Sequence, residues 1–134
     1  MKPGGRLKPI LNRPLPPQFR QIRITLAREP DHPDGDPDIA YLMVAPFDAD
    51  DHIDATLWRK HRTACRVTRS RPDQVDEHGY LVRRPGGGWA FHSDHAPDEI
   101  GFDFADERFA TCEYVSINEG GQPRSYRVIS ASHL

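Results

Sequence analysis

Residues 91–99, FHSDHAPDE, set His92, Asp94, His95, Asp98 and Glu99 close together. Imidazole and carboxylate are donors that zinc takes, and two histidines with one carboxylate make the facial triad of non-haem iron. Centred on His92, Asp94 and His95, the stretch reads as a metal-dependent enzyme. The spacing argues the other way. His-x-x-His is a short pattern, and His52, His61 and His78 are scattered along the chain, so no second cluster completes the set. No metal is assigned on this basis. The acidic run at residues 31–38 offers Asp34, Asp36 and Asp38 at the first, third and fifth positions of a calcium loop. Ile39 and Ala45 then stand where that loop needs Gly and a bidentate Glu, so a solvated turn is expected.

Covalent chemistry finds no better footing. Ser93, Ser116, Cys65 and Cys112 have no His–acid pair nearby in sequence, and no G-x-S-x-G is present. Pro85-Gly86-Gly87-Gly88 joins two apolar runs, whereas a phosphate loop must open a helix to aim its N–H groups and dipole. No catalytic residue and no cofactor is expected.

A basic constellation is the stronger feature. Residues 57–71, LWRKHRTACRVTRSR, hold six Lys or Arg and no acid. With residues 80–92 they offer Trp58, Arg59, Lys60, Arg62, Arg66, Arg69, Arg83, Arg84 and Trp89 for one surface. Guanidinium groups bind carboxylates and phosphates, and indoles stack on apolar groups or bases. Two partners fit: an unidentified protein, which makes the chain a non-enzymatic interaction module, or single-stranded RNA or DNA. The net charge of −2 argues against a general polyanion binder. Charge is segregated along the chain. Residues 1–28 carry seven bases and no acid, residues 29–56 nine acids and no base, residues 57–84 eight bases and three acids. Residues 85–119 carry eight acids and only Arg108. Pairing of these blocks within the fold is the simplest account.

The elements that must position these residues are mostly strands. Residues 1–18 are rich in Pro and basic residues and are expected to form a flexible arm, pinned at most by Ile10, Leu11 and Leu15. A single β-rich domain is expected over residues 19–134. FRQIRITL alternates, with Ile22, Ile24 and Leu26 on one face. IAYLMVAPF is apolar on both faces and reads as a more central strand. The one helix is expected within residues 47–65, capped by Asp54 or Asp51, with Ile53, Leu57, His61 and Ala64 on its inner stripe. CRVTRSR becomes a strand with Cys65 and Val67 opposite Arg66 and Thr68. A hairpin with a four-residue loop follows, setting Arg84 opposite Trp89 and putting Tyr80, Val82, Trp89 and Phe91 on one face. EIGFDFAD and a final hairpin, with Val115, Ile117, Tyr126 and Val128 inward, complete the chain. The fold class is mainly β: a small barrel or sandwich of about seven short strands with one α-helix.

From FRQIRITLAREP through DADDHIDATLWRKHRTACRV, YLVRRPGGGWAF and YRVISAS, residues 19–131 resemble a family of small uncharacterised bacterial proteins. That resemblance implies a single domain and no particular activity. The stretch RFATCEYVSINEGGQPRSYRVISAS also resembles part of the flavin-binding barrel of ferredoxin-reductase-type enzymes. Arg124 and Tyr126 match its flavin-contacting strand, while Cys112 replaces a Gly and Arg127 a Ser. Two cysteines distant in sequence read as free thiols of a reducing, cytoplasmic compartment. There is no apolar run long enough to span a membrane, nor a signal-peptide pattern.

Overall fold

The computed structural model describes residues 14–94, 99–102 and 107–134 of the 134-residue chain. Eight strands succeed one another: β1 (Phe19–Leu26), β2 (Asp36–Pro46), β3 (Arg66–Ser70), β4 (Glu77–Arg83), β5 (Trp89–Ser93), β6 (Glu99–Phe102), β7 (Tyr114–Glu119) and β8 (Gln122–His133). Each pairs antiparallel with the next, and β8 returns to pair with β1, so the sheet closes into a barrel. The choice between barrel and sandwich is thereby decided. The eight strands of the described residues agree with the expected number of about seven, and β2 and β8 are long, at 11 and 12 residues.

Alternation supplies the barrel's interior. Ile22, Ile24 and Leu26 of β1, Tyr41, Met43 and Ala45 of β2, Val67 of β3 and Leu81 of β4 are all buried. So are Trp89 and Phe91 of β5, Val115 and Ile117 of β7, and Tyr126 and Val128 of β8. An eight-stranded barrel has an interior that side chains can just fill. Here they do: Tyr41 meets Phe91 and Tyr126 edge-on at ring separations of 6.2 and 5.4 Å. Each large apolar side chain so buried contributes about 1.5–3 kcal/mol.

The β4–β5 hairpin differs from the sequence expectation by one residue. Arg83, not Arg84, lies opposite Trp89, and Leu81 lies opposite Phe91. The loop is therefore residues 84–88, with Gly86, Gly87 and Gly88 all at positive φ, a conformation that L side chains rarely adopt. Leu81 takes the inner face, and Tyr80 and Val82 turn outward. Gly79 is inward too, where Phe91 fills the space that a side chain would occupy. A Cβ there would overlap the His92 carbonyl oxygen and approach Phe91 Cε1 to 2.7 Å.

The helix is shorter than its sequence pattern. α1 covers Ala55–Lys60 only, and a 3-10 turn, Arg62–Ala64, follows it. Asp54 caps it, its Oδ1 accepting the Leu57 N–H at 3.1 Å. Asp51 does not; its carboxylate pairs with Arg20 at 2.7 Å. The fully inward residue is Trp58 rather than the Leu57 stripe, because the indole reaches the barrel wall that Leu57 does not. α1 lies at the barrel end where β1 starts and β2 finishes, hereafter the helix end. The opposite mouth holds the β1–β2, β3–β4 and β7–β8 connections. Of the expected N-terminal arm, residues 1–13 lie outside the described residues. Leu15 packs against the core, and the Phe19 N–H donates to the Pro16 carbonyl at 3.0 Å.

Candidate functional site

Asp54 starts the helix so that Trp58 points at β4. Its Nε1–H donates to the Leu81 carbonyl at 2.9 Å, and its ring meets Trp89 edge-on at 5.3 Å. Two guanidinium groups lie on this aromatic pair. Arg62 stands 5.1 Å over the Trp58 ring, and Arg83 stands 4.7 Å over the Trp89 ring. Such contacts are worth about 0.5–1 kcal/mol at exposed sites, and they fix where the charge sits. Between the two arginines runs an open groove bedded on Trp58, Leu81 and Val82 and edged by Tyr80 and His92. Arg59, Lys60 and Arg84 are exposed on the same end of the barrel. No carboxylate among the described residues lies within ion-pair distance of Arg59, Lys60, Arg62, Arg83 or Arg84; the ion pairs are made by other bases.

The remaining sequence-predicted residues are placed differently. Arg66 is on the outer wall beside the groove, 4.0 Å over the Tyr80 ring and 3.0 Å from the Asp94 carboxylate. Arg69 is at the opposite mouth and only 15% exposed, paired with Glu77 and Glu119. Trp58 and Trp89 are 7% and 2% exposed. Neither indole has a face left on which a base could stack. They serve as the bed for Arg62 and Arg83, and the expected Arg84–Trp89 contact is made by Arg83.

The sequence-based metal triad is not assembled among the described residues. His95 lies outside them, Asp94 is engaged by Arg66, and His92 borders the groove on the outer face of β5. One other group of possible ligands lies close, Asp48, Asp50 and His52. Its Asp48 Oδ1 already accepts the N–H groups of Asp50 and His52, at 2.9 and 3.1 Å, and so holds a turn. The buried Cys65 thiol is pushed up to about 12 by desolvation and stays protonated, without the thiolate that nucleophilic chemistry requires.

Sequence reasoning missed a charged network that fills the mouth opposite the helix. Glu119 is its centre, 9% exposed at the side chain. Its Oε2 accepts the Tyr41 hydroxyl at 2.5 Å and the Tyr126 hydroxyl at 2.8 Å. Arg69 Nη2 lies 3.6 Å from the same oxygen, and Arg124 Nη1 donates to Oε1 at 3.3 Å. Arg124 Nη2 goes on to Glu29 at 2.6 Å, and Glu29 also meets His32 at 3.1 Å. On the other side Glu77 accepts from Arg69 at 3.3 Å and Arg71 at 2.8 Å. Burial, and then the Glu119 charge, pushes both tyrosines far above the ordinary phenol range, so they remain hydrogen-bond donors. Glu29 is held below the ordinary carboxylate range, chiefly by its Arg124 hydrogen bond. Three carboxylates face three guanidiniums, and both Glu119 oxygens are engaged. The network is a plug whose members satisfy one another. Arg124 and Tyr126, which the flavin-barrel resemblance would set against a cofactor, are among its members.

A signal for the plug exists in the sequence. Continuing the inward alternation one step past Val67 gives Arg69, past Ile117 gives Glu119, and back from Tyr126 gives Arg124. Three strands thus bring a charge to one barrel mouth. No family model, curated protein or solved structure matches the chain, so the site is read from its own geometry.

Proposed function

We propose that the chain is a non-enzymatic binding module whose groove at the helix end holds an acidic, partly apolar segment of a protein partner. The observation that carries the reading is the pair Arg62 and Arg83, fixed over an aromatic bed, flanked by Arg59, Lys60 and Arg84 and with no carboxylate partner among the described residues. An ion pair with such guanidiniums requires little ordering, since stacking already restricts them. The alternative partner, single-stranded RNA or DNA, has the same cations to bind but lacks the stacking platform that supplies sequence-tolerant affinity. The self-satisfied plug at the other mouth supports a binding rather than a catalytic role.

Three further features support a chain that works in the cytoplasm and outside a bilayer. Both cysteines are free thiols. Among the described residues no helix is long and apolar enough to cross a membrane. The barrel is apolar inside, and its outer face carries Arg23, Arg66, Thr68, His78 and Arg127, the inverse of a lipid-facing barrel.

The test is fluorescence anisotropy of the full chain with a labelled acidic peptide containing one aliphatic residue, beside a labelled oligothymidylate. The peptide is expected to bind and to weaken with salt. Replacing Arg62 and Arg83 together by Ala is expected to weaken it at least tenfold, since each lost charged hydrogen bond costs about 1.5–3 kcal/mol. Equal affinity of parent and variant, or tighter binding of the oligonucleotide, would remove the assignment.

A further inference from the structure

The segment best matched to this groove belongs to the chain itself. The β3–β4 loop, residues 71–76, ends in Asp73, Gln74, Val75 and Asp76. Val75 is 91% exposed, the most exposed large apolar side chain among the described residues. Asp73 and Asp76 flank it, both exposed, and neither is paired with a base among the described residues. The stem of the loop is stapled by the Arg71–Glu77 pair at 2.8 Å, so the tip is presented rather than collapsed. An aliphatic side chain between two carboxylates is the complement of an apolar bed between two guanidiniums. The groove encloses about 340 Å³, near the lower end of the ~300–1,000 Å³ usual for ligand pockets, which suits one side chain and its neighbouring backbone.

The loop cannot reach the groove of its own molecule. Both are rooted on β4, which runs between them as an extended strand of seven residues. At a rise of about 3.3 Å per residue, Asp76 and Arg83 stand roughly 20 Å apart, at opposite ends of the barrel. We infer that the groove between Arg62 and Arg83 receives the Asp73–Val75–Asp76 loop tip of a second copy, so that the chain associates head to tail. This rests on the proposed acid-binding role of the groove and names its occupant. Each copy offers one groove and one loop, on different surfaces. The contact is therefore heterologous, and it extends into an open row unless the rotation between copies closes a ring.

Sedimentation velocity of the full chain, from micromolar to millimolar concentration at low and high salt, reads the inference directly. The weight-average mass is expected to rise with concentration past that of a dimer at low salt and to fall towards the monomer at high salt. Two variants separate the surfaces: R62E/R83E reverses the groove, and D73K/D76K reverses the loop. Each alone is expected to be monomeric, with a circular-dichroism spectrum that shows the barrel folded. Mixed together they are expected to co-assemble in alternating order past a one-to-one complex, because the natural loop of one meets the natural groove of the other and the reversed loop meets the reversed groove. All four changes in one chain are expected to restore association.

A parent chain that stays monomeric throughout, or association that either variant leaves intact, overturns the inference. If the monomeric parent still binds the acidic peptide through Arg62 and Arg83, only self-docking falls. If the peptide is also unbound, the groove's role falls with it.

Discussion

Glu119 shows what one residue decides. It receives two phenol hydroxyls and lies against two guanidiniums in a nearly dry mouth. Glu119→Ala leaves Tyr41, Tyr126, Arg69 and Arg124 without their shared acceptor. Breaking a buried charged pair in this way costs about 3–5 kcal/mol, which a urea titration followed by tryptophan fluorescence would register as a lower midpoint. Glu29, at the rim of the same network, carries a pH dependence. Its folded carboxyl is lowered from 4.5, mainly by Arg124, so its contribution to stability is complete above the unfolded value. That contribution fades as pH falls through the lowered folded value. The stability gap between the parent and Glu29→Gln is expected to be widest near neutrality and to narrow below about pH 4.5, as unfolding curves at stepped pH would show. A gap that stays constant with pH would contradict the role given to the charge. These residues were partly legible in the sequence. The inward period that selects Val67, Ile117 and Tyr126 also selects Arg69, Glu119 and Arg124. What alternation does not give is that three separate strands end at one mouth, which is needed before an inward charge becomes affordable. In sequence Arg69 is one base of a basic stretch, and only its partners Glu77 and Glu119, brought by other strands, mark it as inward.

At the scale of elements, the β4–β5 hairpin is the instructive case. Tyr80, Leu81 and Val82 are all apolar, so pattern alone does not say which of them faces inward. A slip of one residue in the loop moves every side chain to the other face. The deciding residue is Gly79, whose missing side chain makes room for the His92 carbonyl and for Phe91. Gly79→Ala is expected to destabilise the barrel by about 1–3 kcal/mol, as overpacking does, with the thermal midpoint as readout. Gly86→Ala offers a contrast, because open space surrounds that position and only its positive φ resists the change. If Gly79→Ala melts no lower than Gly86→Ala, the packing account of the register is wrong. The helix was legible in kind and in its Asp54 cap, but not in extent. Ile53 is held in a bridge to Phe47 before the helix begins, and His61, at φ −134°, stops it after Lys60. Both limits come from tertiary contacts, among them the edge-on packing of His61 on Phe19 at 5.5 Å.

The whole molecule is set by contacts that no local pattern carries. Closure depends on β1 meeting β8, with Arg20 opposite His133, and alternation is the same in a barrel and a sandwich. The segregated charge blocks do pair across the fold, as Arg20 with Asp51, Arg66 with Asp94 and Arg69 with Glu119. The pairing is incomplete, and the remainder is polar in the literal sense: bases at the helix end, Asp73 and Asp76 at the other. The barrel is also unevenly sewn. β1 and β2 share eight residue pairs, whereas β6 and β7 share two, Gly101 with Asn118 and Phe102 with Ile117. Native-state hydrogen exchange is expected to release the amides at the β6–β7 seam well before those of β1 and β2. Uniform protection around the barrel would mean that closure is fully cooperative.

That β1 and β8 lie side by side has a consequence for how the chain encodes the barrel. The first and last strands are covalently independent neighbours, yet they pair as fully as strands joined by a loop. Strand order around the ring is therefore cyclic, and the position of the chain break is arbitrary with respect to it. A circular permutant joined across residues 18 and 134 and opened within Gly86-Gly87-Gly88 would keep every strand neighbour that the natural order provides.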